Sequence, residues 1–211
     1  FKIKKNSPWR KYKNLWNLYN KAHMPWEWQK KIFQLSKKLN LSYFSSPFDE
    51  KAVDLLEDLN TPAYKIASFE ITDLPLIKYI AKRRKPMLIS TGMATIEEIN
   101  EAVETARNNG CDQLLLFHCI SSYPTPSKDA NVNKLKMLKK EFETEVGLSD
   151  HTLTNTASIA SIALGAVAIE KHFILNRSQK GPDSSFSIQP NELKDLVNLT
   201  NECWETLGTE D

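Results

Sequence analysis

The chain has 211 residues, 41% hydrophobic and 26% charged, with 28 Lys and Arg against 26 Asp and Glu. This is the balance of a water-soluble globular protein long enough to bury a sizeable core. A net charge of +2 gives no general drive toward nucleic acid or membrane, and the apolar runs are too short for a bilayer span. Cys111, Cys119 and Cys203 have no CxxC spacing, so neither a disulfide framework nor a zinc knuckle is indicated. A reducing cytoplasm is the expected location. Because the first residue is Phe rather than Met, a longer parent protein is expected.

In chain order, the basic stretch Phe1–Lys13 (Lys2, Lys4, Lys5, Arg10, Lys11, Lys13) reads as a solvated loop and first helical turn, with attraction of an anion as the sharper alternative. Trp9, Trp16, Trp26 and Trp28 read as helical core in preference to a stacking set. Pro25–Leu39 has Trp28, Ile32, Phe33 and Leu35 near helical spacing. Then short apolar runs alternate with amphipathic ones. The runs Ser42–Ser46, Ala63–Ala67, Met87–Thr91, Leu114–Cys119, Glu145–Leu148 and Val167–Glu170 have strand length and little polar alternation, as strands buried on both faces do. Between and after them, Asp49–Leu59, Leu74–Lys82, Thr95–Asn108, Asn131–Glu141, Thr154–Ala163 and Asn191–Leu207 read as helices. Asp49 is a candidate N-cap, Thr95 with Glu98 a capping box, and Gly110 a left-handed C-cap.

Six β–α repeats imply a parallel sheet with right-handed crossovers. Eight such units need roughly 250 residues. The expected fold is therefore α/β, a partial TIM (β/α)8-type barrel with strands three to eight present. A flavodoxin-like open sheet is the alternative, and no GxGxxG supports a dinucleotide version.

Each expected strand ends in residues fit for polar chemistry: Ser45-Ser46, Ser68 and Glu70 beyond Lys65, Ser90-Thr91, Ser121 to Tyr123, Ser149-Asp150-His151, and Glu170-Lys171-His172. A parallel barrel places its chemistry at that edge. Lys65 lies inside an apolar strand, where an unpaired ammonium is costly. It needs either a carboxylate such as Glu70 or an anionic substrate. Ser46, Ser68, Ser90, Ser121 and Ser149 suit phosphate or carboxylate oxygens, though each alone would be a turn or cap residue. His151 and His172, on neighbouring strands with Asp150 and Glu170 as candidate orienters, point to a divalent metal. His118 lies within a strand and reads as a buried, satisfied histidine. Residues 180–187, Lys-Gly-Pro-Asp-Ser-Ser-Phe-Ser, read as a loop over the site, with Asp183 either a turn cap or an acceptor for sugar hydroxyls.

The strings SSPF (45–48), YKIASFE (64–70), STGM (90–93), HCISSYPTP (118–126), GLSDH (147–151), EKHF (170–173) and GPDSSFS (181–187) resemble, in order, those of the sialic acid synthases, which condense phosphoenolpyruvate with an amino sugar. ASFE at 67–70, Ser121 and LYNKAHMPWEW at 18–28 are similar to the pseudaminic acid branch, and Phe69 would suit a 6-deoxy sugar. The resemblance implies a metal-dependent condensation of phosphoenolpyruvate with 2,4-diacetamido-2,4,6-trideoxy-L-altrose, giving pseudaminic acid and phosphate. It implies that His151 and His172 hold Mn²⁺ or Mg²⁺, with Co²⁺ possible. It places Lys65, Ser68, Ser90, Ser121 and Ser149 at the phosphate, Ser46 near the carboxylate, and Glu70, Tyr123, Glu170 and Asp183 at the sugar or in proton transfer. Lys65, Glu70 and Glu170 are the catalytic candidates.

Family members carry two earlier strands and a C-terminal antifreeze-like domain that reaches the partner's site in a homodimer. Both are absent from this chain, which is expected to be poorly soluble or inactive alone. The alternatives are an N-acetylneuraminate or legionaminic acid synthase, a catalytically inactive sugar- or anion-binding barrel, and a metal-dependent aldolase or isomerase on the same barrel.

Overall fold

Five β-rich apolar runs pair side by side in a computed structural model that describes residues 1–4, 7, 9–179 and 181–209. Lys5 of the basic stretch and Lys180 of the expected loop lie outside the described residues. The strands are β1 (Tyr64–Ile66), β2 (Met87–Ser90), β3 (Leu114–Cys119), β4 (Glu145–Asp150) and β5 (Ala168–Lys171). They form one sheet in the order β1-β2-β3-β4-β5, every neighbouring pair parallel. Sequential order with a helix in each crossover is the barrel-type winding expected from the β–α repeat.

The sheet curls. In a flat sheet β1 and β5 would stand about 19 Å apart, four intervals of about 4.8 Å. Yet Lys65 Nζ on β1 lies 3.7 Å from Glu170 Oε2 on β5. The two outermost strands thus face each other across a concave interior, and the fold is a half-barrel with helices outside. The first of the six expected strands, Ser42–Ser46, shrinks to one parallel bridge between Ser45 and Tyr64, with Lys65 N–H donating to the Ser45 carbonyl at 3.3 Å. Pro47 follows at once; it has no N–H for a ladder and restricts the residue before it.

The helices are α1 (Leu15–Ala22), α2 (Trp26–Lys38), α3 (Glu50–Asp58), α4 (Leu74–Ala81), α5 (Ile96–Asn108), α6 (Lys134–Phe142), α7 (Thr156–Ala163) and α8 (Pro190–Leu207). Their starts follow the capping chemistry. Asp49 accepts from Ala52 N–H at 2.8 Å, and the Thr95–Glu98 box closes with both reciprocal bonds. Gly110 takes the left-handed turn after α5 at φ +101°. α6 begins three residues later than expected because Asn131, at φ +45°, turns the chain first.

The outer sheet face (Tyr64, Ile66, Met87, Ile89, Leu116, Val146) packs against α3 to α6 through Val53, Ile77, Ile80, Ile99, Leu135 and Leu138 in one buried cluster. Each such side chain contributes about 1.5–3 kcal/mol by leaving water. The inner face is crowded as well. A Cβ on Gly147 would fall 2.6 Å from the Phe117 ring, so β4 needs glycine there. Burial of both faces explains the missing polar alternation.

The tryptophan expectation fails in part. Trp16, Trp26 and Trp28 are exposed, and α2 buries only Gln29, because no described element covers their side of α1 and α2. No helix among the described residues is long and apolar enough to cross a membrane.

Candidate active site at the carboxyl ends of the strands

Strand parity decides which polar side chains enter the half-barrel, since alternate residues point to opposite faces. Lys65, Ser90, Cys119, Ser149 and Glu170 share the inner face, and His151 and His172 continue the same parity just past β4 and β5. Lys65 Nζ donates to Ser90 Oγ at 2.6 Å and to the Ile66 carbonyl at 3.0 Å, and lies 5.7 Å from the centre of the Phe117 ring. Burial pushes its pKa below the ordinary lysine value, opposed chiefly by Glu170. Ser149 Oγ donates to Glu170 Oε1 at 2.6 Å. Glu170 therefore joins a buried cation on β1 to a hydroxyl on β4. It, rather than Glu70, is the carboxylate nearest Lys65.

A second group gathers beyond β1, β2 and β3. The short 3₁₀ helix Ser68–Thr72 brings Ser68 Oγ within 3.1 Å of Cys119 Sγ. Gly92 sits beneath both: a Cβ there would lie 2.5 Å from Cys119 Sγ, 2.7 Å from Ser121 Oγ and 2.8 Å from Ser68 Oγ. Ser121 Oγ and Glu70 Oε2 are buried with no hydrogen-bond partner among the described residues. Buried polar atoms are nearly always paired, so two orphans at one sheet edge mark where a polar ligand would complete the bonding. Burial raises the Glu70 pKa, so Glu70 holds a proton to higher pH than an ordinary glutamate. Burial also raises the Cys119 pKa and keeps it a thiol.

The third group is aromatic and imidazole. His151 Nδ1 lies 2.9 Å from the Ile120 carbonyl oxygen, which can only accept, so Nδ1 carries the hydrogen and Nε2 is left as a lone-pair donor. Burial holds the His151 pKa below the ordinary histidine value, favouring the neutral ring. The His151 and His172 ring centres are 5.4 Å apart. Tyr123 packs on both, at 4.3 and 5.9 Å, and burial pushes its pKa up to about 12, so it remains a neutral phenol. Asp183 Oδ2 stands 3.6 Å from His172 Nδ1. Ile188 N–H donates to the His172 carbonyl at 2.8 Å, which ties residues 181–188 to β5 and brings Asp183 to this edge.

Some expectations change. Asp150 does not orient His151: it has the opposite parity and accepts from Thr152 N–H, Ser158 Oγ and Lys171 Nζ at 2.8, 2.6 and 2.8 Å on the helix side of the sheet. Glu170 bonds Ser149 rather than an imidazole. Their places as orienters are taken by the Ile120 carbonyl and Asp183. Ser46 is half-buried and makes no hydrogen bond among the described residues. His118 is buried and bonds the Ala130 carbonyl at 2.9 Å, as expected.

The profile of the NeuB family matches residues 1–211. The chain belongs to this family. It is 44% identical to a pseudaminic acid synthase of Helicobacter pylori over 94% of this chain and 58% of the relative. It is 41% identical to an N,N'-diacetyllegionaminic acid synthase of Campylobacter jejuni over 85% and 54%. The crystal structure of an N-acetylneuraminic acid synthetase from Leptospira borgpetersenii, solved with citrate, superposes with a TM-score of 0.88 at 31% identity, over 92% of this chain and 68% of that one. The chain spans between half and three-fifths of the length of these curated relatives.

Residues missed by the sequence reading are Gly92, Cys119, Phe117 and Trp9. Parity from Ser149 and Glu170 across the sheet register (Cys119 opposite Ser149, Phe117 opposite Ser90) would have found Cys119 and Phe117. Nothing in the sequence signals Trp9, whose Nε1 donates to the Pro182 carbonyl at 3.1 Å. A cavity of about 650 Å³ at the opposite end of the strands, lined by Arg107, Gln113, Lys139 and Thr144 among others, contains none of the site residues.

Proposed function

We propose that this chain carries the catalytic half-barrel of a pseudaminic acid synthase, condensing phosphoenolpyruvate with 2,4-diacetamido-2,4,6-trideoxy-L-altrose. Water adds at C2 of phosphoenolpyruvate, C3 forms the new bond to the sugar aldehyde carbon, and the C2–O bond breaks to release phosphate. The observation that supports this most is the juxtaposition of an anion-binding set, Lys65 with Ser90, and two adjacent imidazoles at one sheet edge.

Lys65 supplies a point charge for the phosphate, and Ser68, Ser90, Ser121 and Ser149 supply hydroxyls that fix its orientation. Ser46, next to the residue that bridges β1, is assigned to the carboxylate. Glu170 neutralises Lys65 while no anion is bound. Glu70, half-buried with a free carboxyl oxygen, is suited to hand a proton to the developing alkoxide of the former aldehyde. Tyr123 and Asp183 border the sugar.

The donor set fits a divalent ion held by His151 and His172: His151 is kept neutral with Nε2 free, and the two rings are neighbours. Among the described residues no group of three His, Cys, Asp or Glu is placed to hold an ion, so the remaining positions would fall to water and substrate oxygens. Water and substrate oxygens suit Mn²⁺ or Mg²⁺, while the imidazole nitrogens favour Co²⁺ over Mn²⁺. Lewis-acid polarisation of the sugar aldehyde is the chemistry such an ion supplies when bound.

The test is phosphate release from phosphoenolpyruvate by purified protein, with and without Mn²⁺, on adding each candidate sugar. Release that requires both the ion and the trideoxy diacetamido sugar supports the reading. Preference for N-acetylmannosamine or for the legionaminic precursor would assign the chain to another branch. Binding of the anion without turnover would make it a sugar- or anion-binding barrel.

A further inference from the structure

Trp9 is separated from residue 183 by most of the chain, yet it touches the site at two points. Its indole N–H is shared between the Pro182 carbonyl at 3.1 Å and Asp183 Oδ1 at 3.3 Å. Its ring centre lies 5.4 Å from that of Tyr123, at 54°. From these contacts two short paths lead to the two histidines. Along the first, Asp183 turns its other oxygen to His172 Nδ1 at 3.6 Å, longer than a hydrogen bond but close enough to favour the tautomer with hydrogen on Nδ1. Along the second, Tyr123 lies on the His151 ring at 4.3 Å.

The Asp183 backbone is held in place, whereas its side chain is not. Its backbone carbonyl accepts from Ser187 N–H at 3.1 Å and Ser187 Oγ at 2.8 Å, so the loop is set. The carboxylate is about two-fifths exposed, and Trp9 is the described side chain that donates to it. Without the indole donor, the carboxylate can rotate into water and away from His172.

We propose that Trp9 is a positioning residue of this site, setting His172 through Asp183 and His151 through Tyr123. This rests on the reading of the two histidines as metal ligands, because a fixed Nδ1–H leaves Nε2 as the donor on both rings. Partners of this kind, one shell out from the ligand, typically change metal affinity 10–100-fold. Trp9 acts one contact further away, so a smaller effect is expected, about threefold to tenfold.

The experiment compares wild type, Trp9→Phe and Trp9→Ala. Trp9→Phe keeps a ring on Tyr123 and removes only the N–H donor. Two readouts are taken: Mn²⁺ affinity by calorimetry, and, on metal-free protein at pH 8, the imidazole nitrogen shifts of His172 and His151 by long-range ¹H–¹⁵N correlation. Trp9→Phe should move His172 from the Nδ1–H tautomer toward a mixture, leave His151 in place and weaken Mn²⁺ binding about threefold or more. Trp9→Ala should perturb both histidines. If Trp9→Phe leaves the His172 nitrogens and Mn²⁺ affinity at wild-type values, the proposal is overturned. If wild type itself binds no Mn²⁺, the metal reading fails, and the tautomer comparison alone decides whether Trp9 positions the rings. Should Trp9→Ala fail to fold, Trp9→Phe carries the test.

Discussion

Replacing Gly92 by alanine probes the proposed anion pocket with a single methyl group. Gly92 has no positive φ, so the backbone tolerates a side chain and only space forbids it. The added carbon would meet Cys119 Sγ, Ser121 Oγ and Ser68 Oγ at 2.5, 2.7 and 2.8 Å, about an ångström inside ordinary contact in three directions. Swinging one side chain away does not relieve the others, so the cost falls in the range of core overpacking, about 1–3 kcal/mol. At about 2–4 °C per kcal/mol for a chain of this size, that is roughly 2–12 °C in melting temperature. The same methyl pushes Ser68 and Ser121 off their positions, so affinity for phosphate or phosphoenolpyruvate should fall more than about tenfold, the equivalent of one well-placed charge-assisted hydrogen bond. The assay is thermal melting and calorimetric titration of both variants. Gly165→Ala is the control. Gly165 has φ +91° and nothing within 4 Å of an added Cβ, so it should lose about 1–2 kcal/mol from left-handed strain while binding normally. A Gly92→Ala protein that melts and binds like wild type would refute the crowded-cradle argument.

Three further outcomes follow from burial and charge. Lys65→Met removes a buried ammonium whose partner Glu170 is half-exposed and can return to water, but it also removes the donor to Ser90 Oγ and the Ile66 carbonyl, so stability should fall by about 1–3 kcal/mol while binding of phosphate is lost; an unchanged denaturation midpoint would count against it. Asp150→Asn breaks an ion pair whose side chains are 1% and 4% exposed, which should cost about 3–5 kcal/mol in chemical unfolding, and a loss below about 1 kcal/mol would show the pair to be idle. Burial lowers the pKa of His151 and of His118. Below about pH 6.5 the unfolded chain therefore takes up protons that the folded one refuses, so their contribution is present above that value and is lost as pH falls through the folded pKa values. Urea midpoints should drop between pH 7.5 and 5.5, and His151→Gln should remove part of that slope; an unchanged slope would reassign it to His118 alone.

The half-barrel was legible because its signals are local. Apolar runs of strand length, Asp49, the Thr95–Glu98 box and Gly110 each act within a few residues. The Ser42–Ser46 strand was over-read because Pro47 stops the ladder at Ser45. The three exposed tryptophans were misplaced because helical spacing specifies a face but not what covers it. The candidate site was legible as a set of strand ends, since parallel winding puts them together wherever they fall in the chain. The pairing inside the set was not legible: with both sheet faces buried, hydrophobicity carries no parity. Asp150 and Glu170, each one or two residues from a histidine, looked equivalent although they point to opposite faces.

That difference of face links stability to chemistry. In the β4–β5 register, Ser149 stands opposite Glu170 and Asp150 opposite Lys171. The next pair in step is His151 and His172. A slip of one residue would turn every side chain of β5 to the other face, sending Glu170 and His172 into the helices and Lys171 into the mouth. On the helix side, Asp150 and Lys171 join at 2.8 Å, and Lys171 also donates to the Thr152 carbonyl at 2.9 Å. Asp150 is anchored in turn to Ser158 on α7. This buried clamp fits one register only. It lies on the helix side of the sheet and makes no side-chain hydrogen bond to a candidate ligand among the described residues, yet by holding β5 in step it brings Ser149 to Glu170, Glu170 to Lys65 and the two imidazoles side by side.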